Sequence, residues 1–147
     1  MILVSACLVG LNTKYNGGNN FDDKIFELVK KGVAIPICPE QLGGLSTPRL
    51  PSEIINNKVY NKNNKDLTSN FVKGAEEVLK LAKELNIKIA ILKSKSPSCG
   101  KGIIYDGTFS SNLTNGNGIT TQLLIDNGIE VISSDDDKKI EELLNNI

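Results

Sequence analysis

Apolar runs too short to be helices alternate along this chain with segments of helical period. Strands are expected within residues 1–9 and at 33–37, 87–92 and 130–133. Asp22 and Asp23 open a helical pattern with Ile25, Leu28 and Val29 on one face, and Gly32 stops it. A second helix, capped by Asp66 or Thr68, repeats Phe71, Ala75, Val78, Leu79, Ala82 and Leu85. A third covers 119–127 and ends at Gly128. Ser134 is expected to cap a last helix, with Asp135, Asp136 and Asp137 at its positive end and Ile140, Leu143, Leu144 and Ile147 as its apolar face. The order β-α-β-α-β-α-β-α predicts right-handed crossovers and about four parallel strands with helices on both faces. The expected architecture is a single-domain, three-layer, Rossmann-like α/β fold over residues 1–147. Two long segments, 38–57 and 93–118, read as loops, with a short strand or hairpin expected around Glu53 to Tyr60.

That topology gives the cysteines a common address. Cys7 lies at the carboxyl end of the first strand, Cys38 directly follows the second, and Cys99 sits in the loop after the third. In a parallel α/β sheet the carboxyl ends share one edge, and ligands bind there. Three thiols far apart in sequence are therefore expected to face one crevice.

Composition narrows what they can do. Lys plus Arg number 17 and Asp plus Glu number 17, so no general attraction to nucleic acid or an anionic membrane is expected. No apolar run reaches transmembrane length. The N-terminal stretch MILVSACLVG lacks a basic segment, so it does not read as a signal peptide, and a cytoplasmic location is expected. There is no histidine, which excludes a cysteine–histidine nucleophile and leaves acid–base work to other groups. A CxxC redox pair is absent, as is a phosphatase-type loop with arginine six residues after cysteine. Metal binding remains. Three thiolates leave an open position, the mark of a reactive centre, and suit either catalytic zinc or an iron–sulfur cluster.

Neighbouring residues fit such a centre. Glu40, two residues after Cys38, is the natural general acid or base in a histidine-free site. Ser96 and Ser98 flank Cys99 and can hydrogen-bond sulfur or substrate. Lys93, Lys95 and Lys101 add positive charge that favours thiolate. Gly17-Gly18 and Gly43-Gly44 permit close backbone approach, as turns or around a ligand. Arg49 is the one arginine beside sixteen lysines, which points to a bidentate contact that lysine cannot make.

The segments SACLVG (5–10), KYNGG (14–18), CPEQLGGLSTPRLPSEI (38–54), LKSKSPSCG (92–100) and GNGITTQLLIDNGIEVIS (116–133) together resemble the thiouracil desulfidase family across nearly the whole chain. Lys14 and Asn16 depart from the family pattern, where arginine and aspartate are expected. The resemblance implies a [4Fe-4S] cluster with one open iron, held by Cys7, Cys38 and Cys99. It implies removal of sulfur from a thiolated pyrimidine such as 2-thiouracil, giving the oxo base and sulfide. Glu40 is implicated in moving protons, Ser96 or Ser98 at the site, and Arg49 in binding substrate or anchoring its loop. The expected partner is a small thiolated nucleobase or nucleoside, with no nucleic acid and no membrane, and the expected state is a monomer or homodimer. The alternatives are a three-thiolate zinc hydrolase and a non-enzymatic module that holds a cluster or sulfide.

Overall fold

The computed structural model describes all residues, 1–147. In chain order the elements are β1 Ile2–Ser5, a 3-10 turn Ala6–Val9, α1 Asp23–Lys30, β2 Ala34–Ile37, α2 Pro39–Leu42, β3 Ser52–Ile55, β4 Lys58–Asn61, α3 Thr68–Glu84, β5 Ile89–Leu92, β6 Ile103–Tyr105, β7 Leu113–Asn115, α4 Ile119–Asp126, β8 Glu130–Ser133 and α5 Asp137–Asn145. The four expected strands form one parallel sheet in the order β2-β1-β5-β8. β1 pairs Leu3 with Ile35 on one side and with Ala90 on the other. The chain thus turns back at β1, and the crevice beyond its carboxyl end is where such sheets take ligands.

Strand alternation divides the core. Val4, Ile91 and Ile132 face one side and pack with Ile25 and Leu28 of α1 and Ile140 of α5. Leu3, Ala90, Leu92 and Val131 face the other, with Val78 and Ala82 of α3 and Leu124 of α4. Burial on both faces explains why β1 reads as apolar sequence up to Ser5. No helix is long and apolar enough to cross a membrane.

Several local expectations are corrected. The first strand ends at Ser5, because residues 6–9 coil into a 3-10 turn closed by Gly10, at φ 91°, whose N–H reaches Ala6 O. Ser134 does not cap α5; Asp136 does, accepting from Lys139 N, while Ser134 Oγ accepts from Ser94 N at 2.9 Å. Ile147 lies beyond α5 and is exposed. Asp66 accepts from Thr68 N, and Thr68 Oγ1 accepts from Val59 N, fastening α3 to the β3–β4 hairpin. That hairpin turns through Asn56 and Asn57, both at positive φ, as a two-residue loop requires. Residues 93–118 are not loop throughout, since β6 and β7 form a second antiparallel hairpin.

One close approach places the segment after β2. α2 lies on the backbone of α3 through two glycines. A Cβ on Gly43 would stand 2.1 Å from Asn70 O, and one on Gly74 would stand 1.9 Å from Pro39 O. Helix propensity alone favours Gly74→Ala by about 1 kcal/mol. The steric demand reverses this, so G74A is expected to lose about 1–3 kcal/mol in urea denaturation. A stabilised G74A would contradict the seating of α2.

Candidate active site

A cavity of about 410 Å³ opens at the carboxyl edge of the sheet, and Cys7, Cys38, Glu40, Arg49, Ser96, Ser98 and Cys99 all line it. Cys7 comes from the turn after β1. Cys38 precedes Pro39 at the first position of α2. Cys99 comes from the loop after β5.

That loop is held by the helix that follows it. Pro97 O accepts from Ile119 N, and Ser98 O accepts from Thr120 N and Thr121 N, which satisfies N–H groups a helix start leaves open. Thr121 Oγ1 donates to Cys99 O at 2.7 Å. Ser5 Oγ joins two strand ends, accepting from Lys93 N at 2.9 Å and donating to Cys99 Sγ at 3.4 Å.

The polar side chains form an ordered chain. Ser96 Oγ accepts from Ser98 N at 3.1 Å and Cys99 N at 3.0 Å, and lies 2.9 Å from Ser98 Oγ. Ser98 Oγ donates to Glu40 Oε2 at 2.8 Å. Each hydroxyl has one proton. With Ser98 donating to Glu40, Ser96 donates to Ser98, and its own lone pairs are used by the two amides.

Glu40 Oε1 accepts from Arg49 Nε at 2.9 Å, in a pair whose side chains are 14% and 9% exposed. Arg49 also donates to Thr13 O, Ser46 O and Thr47 Oγ1. Four of its five N–H groups are thus engaged inside the protein. The fork that lysine cannot copy is present, but it grips loops and Glu40 and leaves one N–H for anything else.

Burial pushes the Cys99 thiol up to about 12 and holds Cys7 above its ordinary value. The hydrogen bond from Ser5 opposes the first shift, and one from Asn20 opposes the second. Lys93 lines the cavity, and burial lowers its ammonium pKa against the pull of Cys7. Lys93 favours the Cys7 thiolate as expected, but burial outweighs it, and Lys101 is not on the cavity wall. Gly17-Gly18 is an ordinary turn beside Lys14. Asn16 Oδ1 serves the same turn, accepting from Gly18 N.

No three Cys, Asp or Glu side chains converge closely enough for a single metal ion. Soft donors spread around a cavity suit a polynuclear cluster, whose positive irons stabilise thiolates that burial alone would keep protonated. A mononuclear three-thiolate zinc site does not fit this arrangement.

The model of the 2-thiouracil desulfurase family matches residues 2–136. The chain belongs to this family. YbbK, an uncharacterized protein of Bacillus subtilis (strain 168), is a relative 44% identical over 146 residues, spanning 92% of this chain and 97% of that one. Among solved structures, a [4Fe-4S]-dependent thiouracil desulfidase, TudS, superposes with a TM-score of 0.92 at 39% identity, covering 99% of this chain and 98% of that one.

Sequence reasoning missed Ser5 and Glu53 at this cavity. Glu53 is 8% exposed and accepts from two backbone amides of the 106–112 segment. A serine closing an apolar run beside Cys7 was the available signal for the first; none marked the second.

Two outcomes follow from these interactions. Removing the Arg49 side chain leaves a largely buried carboxylate unpaired, so Arg49→Ala is expected to cost about 3–5 kcal/mol in urea denaturation. A loss below about 1 kcal/mol would place the pair with exposed ion pairs. The raised thiol pKa values make the folded metal-free protein hold its protons longer than the unfolded chain as pH rises. Their stabilising contribution is whole below about pH 9 and is lost as pH climbs towards the Cys99 value of about 12. The urea midpoint of metal-free protein should fall between about pH 8 and about pH 10, and fall less in Cys99→Ala; equal slopes would contradict the burial of Cys99.

Proposed function

We infer that this chain is an iron–sulfur-dependent desulfidase that converts a thiolated pyrimidine such as 2-thiouracil, with water, into the oxo base and sulfide. The observation that carries this reading is that three thiols line the same cavity as the hydrogen-bonded Glu40–Ser98 pair. Cys7, Cys38 and Cys99 are the residues that would hold a [4Fe-4S] cluster. Three thiolates for four irons would leave one iron without a protein ligand, and that iron would supply a soft Lewis acid for the substrate's sulfur.

The reaction is a non-redox substitution at the ring carbon. Water's oxygen forms the new C–O bond, the C–S bond breaks, and the sulfur leaves as sulfide with the protons that water gives up. Glu40 is the base for that water. Its Oε1 is tied to Arg49, which leaves Oε2 to take a proton while Ser98 donates to it. Ser98, 2% exposed and 3.7 Å by its Oγ from Cys99 Sγ, is the serine placed to pass a proton towards departing sulfur. Ser96 orients Ser98 and braces the loop. Arg49 is a positioning residue that fixes Glu40. A module that merely stores a cluster has no need of this hydroxyl–carboxylate pair.

The cavity takes a small thiolated base or nucleoside, not a nucleic acid. The enzyme is read as cytoplasmic, and as a monomer or homodimer.

The test is sulfide and uracil formation from 2-thiouracil by anaerobically reconstituted protein. Wild type should release both in equal amounts. Glu40→Gln should lower kcat by about 10²–10⁴-fold at unchanged iron content. Ser98→Ala should lower kcat more than Ser96→Ala does. Iron-loaded wild type that releases no sulfide from any thiouracil would sink the reading.

A further inference from the structure

The cavity wall holds two carboxylates, and they are not equivalent. Both oxygens of Glu40 are engaged, by Arg49 and Ser98. Glu53, on β3, uses only one. Its Oε1 accepts from Gly107 N at 3.0 Å and from Phe109 N at 3.1 Å. Its Oε2 makes no hydrogen bond or ion pair within the protein, although the residue is 8% exposed. That oxygen is not sealed off. Glu53 lines the cavity, and the one unpartnered side-chain oxygen closed to solvent is Thr120 Oγ1. A carboxylate oxygen so deeply placed is costly unless a donor meets it.

The surroundings indicate which donor. The segment that Glu53 holds carries Phe109, and Phe109 and Tyr105 line the same cavity. Phe109 and Ser111 stand at positive φ, with Gly107 at 94°, so the segment's path is tight and Glu53 fastens it at two amides. Aromatic side chains on a cavity suit a flat ring, and a free acceptor lining the same cavity suits an N–H on the edge of that ring. Thiolated pyrimidines carry such N–H groups next to the C=S carbon.

We propose that Glu53 reads the ring N–H of the substrate through Oε2, while Oε1 fastens the 106–112 segment that carries Phe109 into the same cavity. The proposal rests on the desulfidase reading and adds the residue that selects an unsubstituted ring nitrogen. Oxygen substituted by amide nitrogen at Oε2 would present a donor where the ring needs an acceptor.

The test is a cycle of two proteins and two kinds of ligand. Reconstituted wild type and Glu53→Gln, each in a Glu40→Gln background so that ligand is bound and not turned over, are titrated by calorimetry with 2-thiouracil and with its 1-methyl and 3-methyl derivatives. In wild type, methylation of the nitrogen that Glu53 reads should raise Kd by about tenfold or more, since a hydrogen bond to a charged group is lost. E53Q should bind 2-thiouracil more weakly by a similar factor, and should bind the methylated ligand as wild type does. Gly107 and Phe109 amide exchange should be unchanged in E53Q, whose side-chain oxygen still serves both, and faster in Glu53→Ala. If E53Q binds 2-thiouracil as tightly as wild type, or if neither methyl group costs more in wild type than in E53Q, Glu53 does not read the ring. Sulfide release by wild type separates the two claims. Release with an additive cycle overturns only the role of Glu53, and no release overturns the function and this proposal together.

Discussion

Everything at the site depends on β1 being paired in parallel on both of its sides. Its hydrogen-bonded neighbours are β2 and β5, so the strands that precede Cys7, Cys38 and Cys99 end side by side. No contact between the cysteines is needed to gather them. The sheet does so through register, and the two layers of helices supply the burial that holds the register. The burial that stabilises the sheet also raises the thiol pKa values of Cys7 and Cys99, which positive charge from a bound cluster would offset.

The second organising contact joins two loops from different crossovers. Glu40 follows β2 and Ser98 follows β5, and their hydrogen bond spans the crevice between those strand ends. Arg49 makes this junction rigid from behind by gripping Glu40, Thr13 and the 46–47 turn at once. The close seating of α2 on α3 at Gly43 and Gly74 sets where Glu40 starts from. A carboxylate, its hydroxyl partner and its counter-ion are thus held in place by segments far apart in sequence.

Much of this was readable in the chain. Four apolar runs and their intervening helices follow from periodicity, and the shared edge of the cysteines follows from the handedness of parallel crossovers. What escaped reading involves partners distant in sequence. Ser134 looks like a helix cap locally, but its hydroxyl serves Ser94. Gly74 looks like a weak point in a helix until Pro39 is seen against it. β6 and β7 have three residues each and β7 is exposed throughout, so they are too short for alternation to show. Arg49 was recognisable as a fork, but what it grips depends on how residues 13 and 40 come together in space. Glu53 gave no signal, because its meaning lies in the amides of residues 107 and 109.

The central claim is that three strand-end thiols together hold one cluster. Iron and acid-labile sulfide should be counted per chain after anaerobic reconstitution, in wild type and in Cys7→Ala, Cys38→Ala and Cys99→Ala singly. The account predicts about four of each in wild type and a marked loss in all three variants. Full loading in any one of them would contradict it.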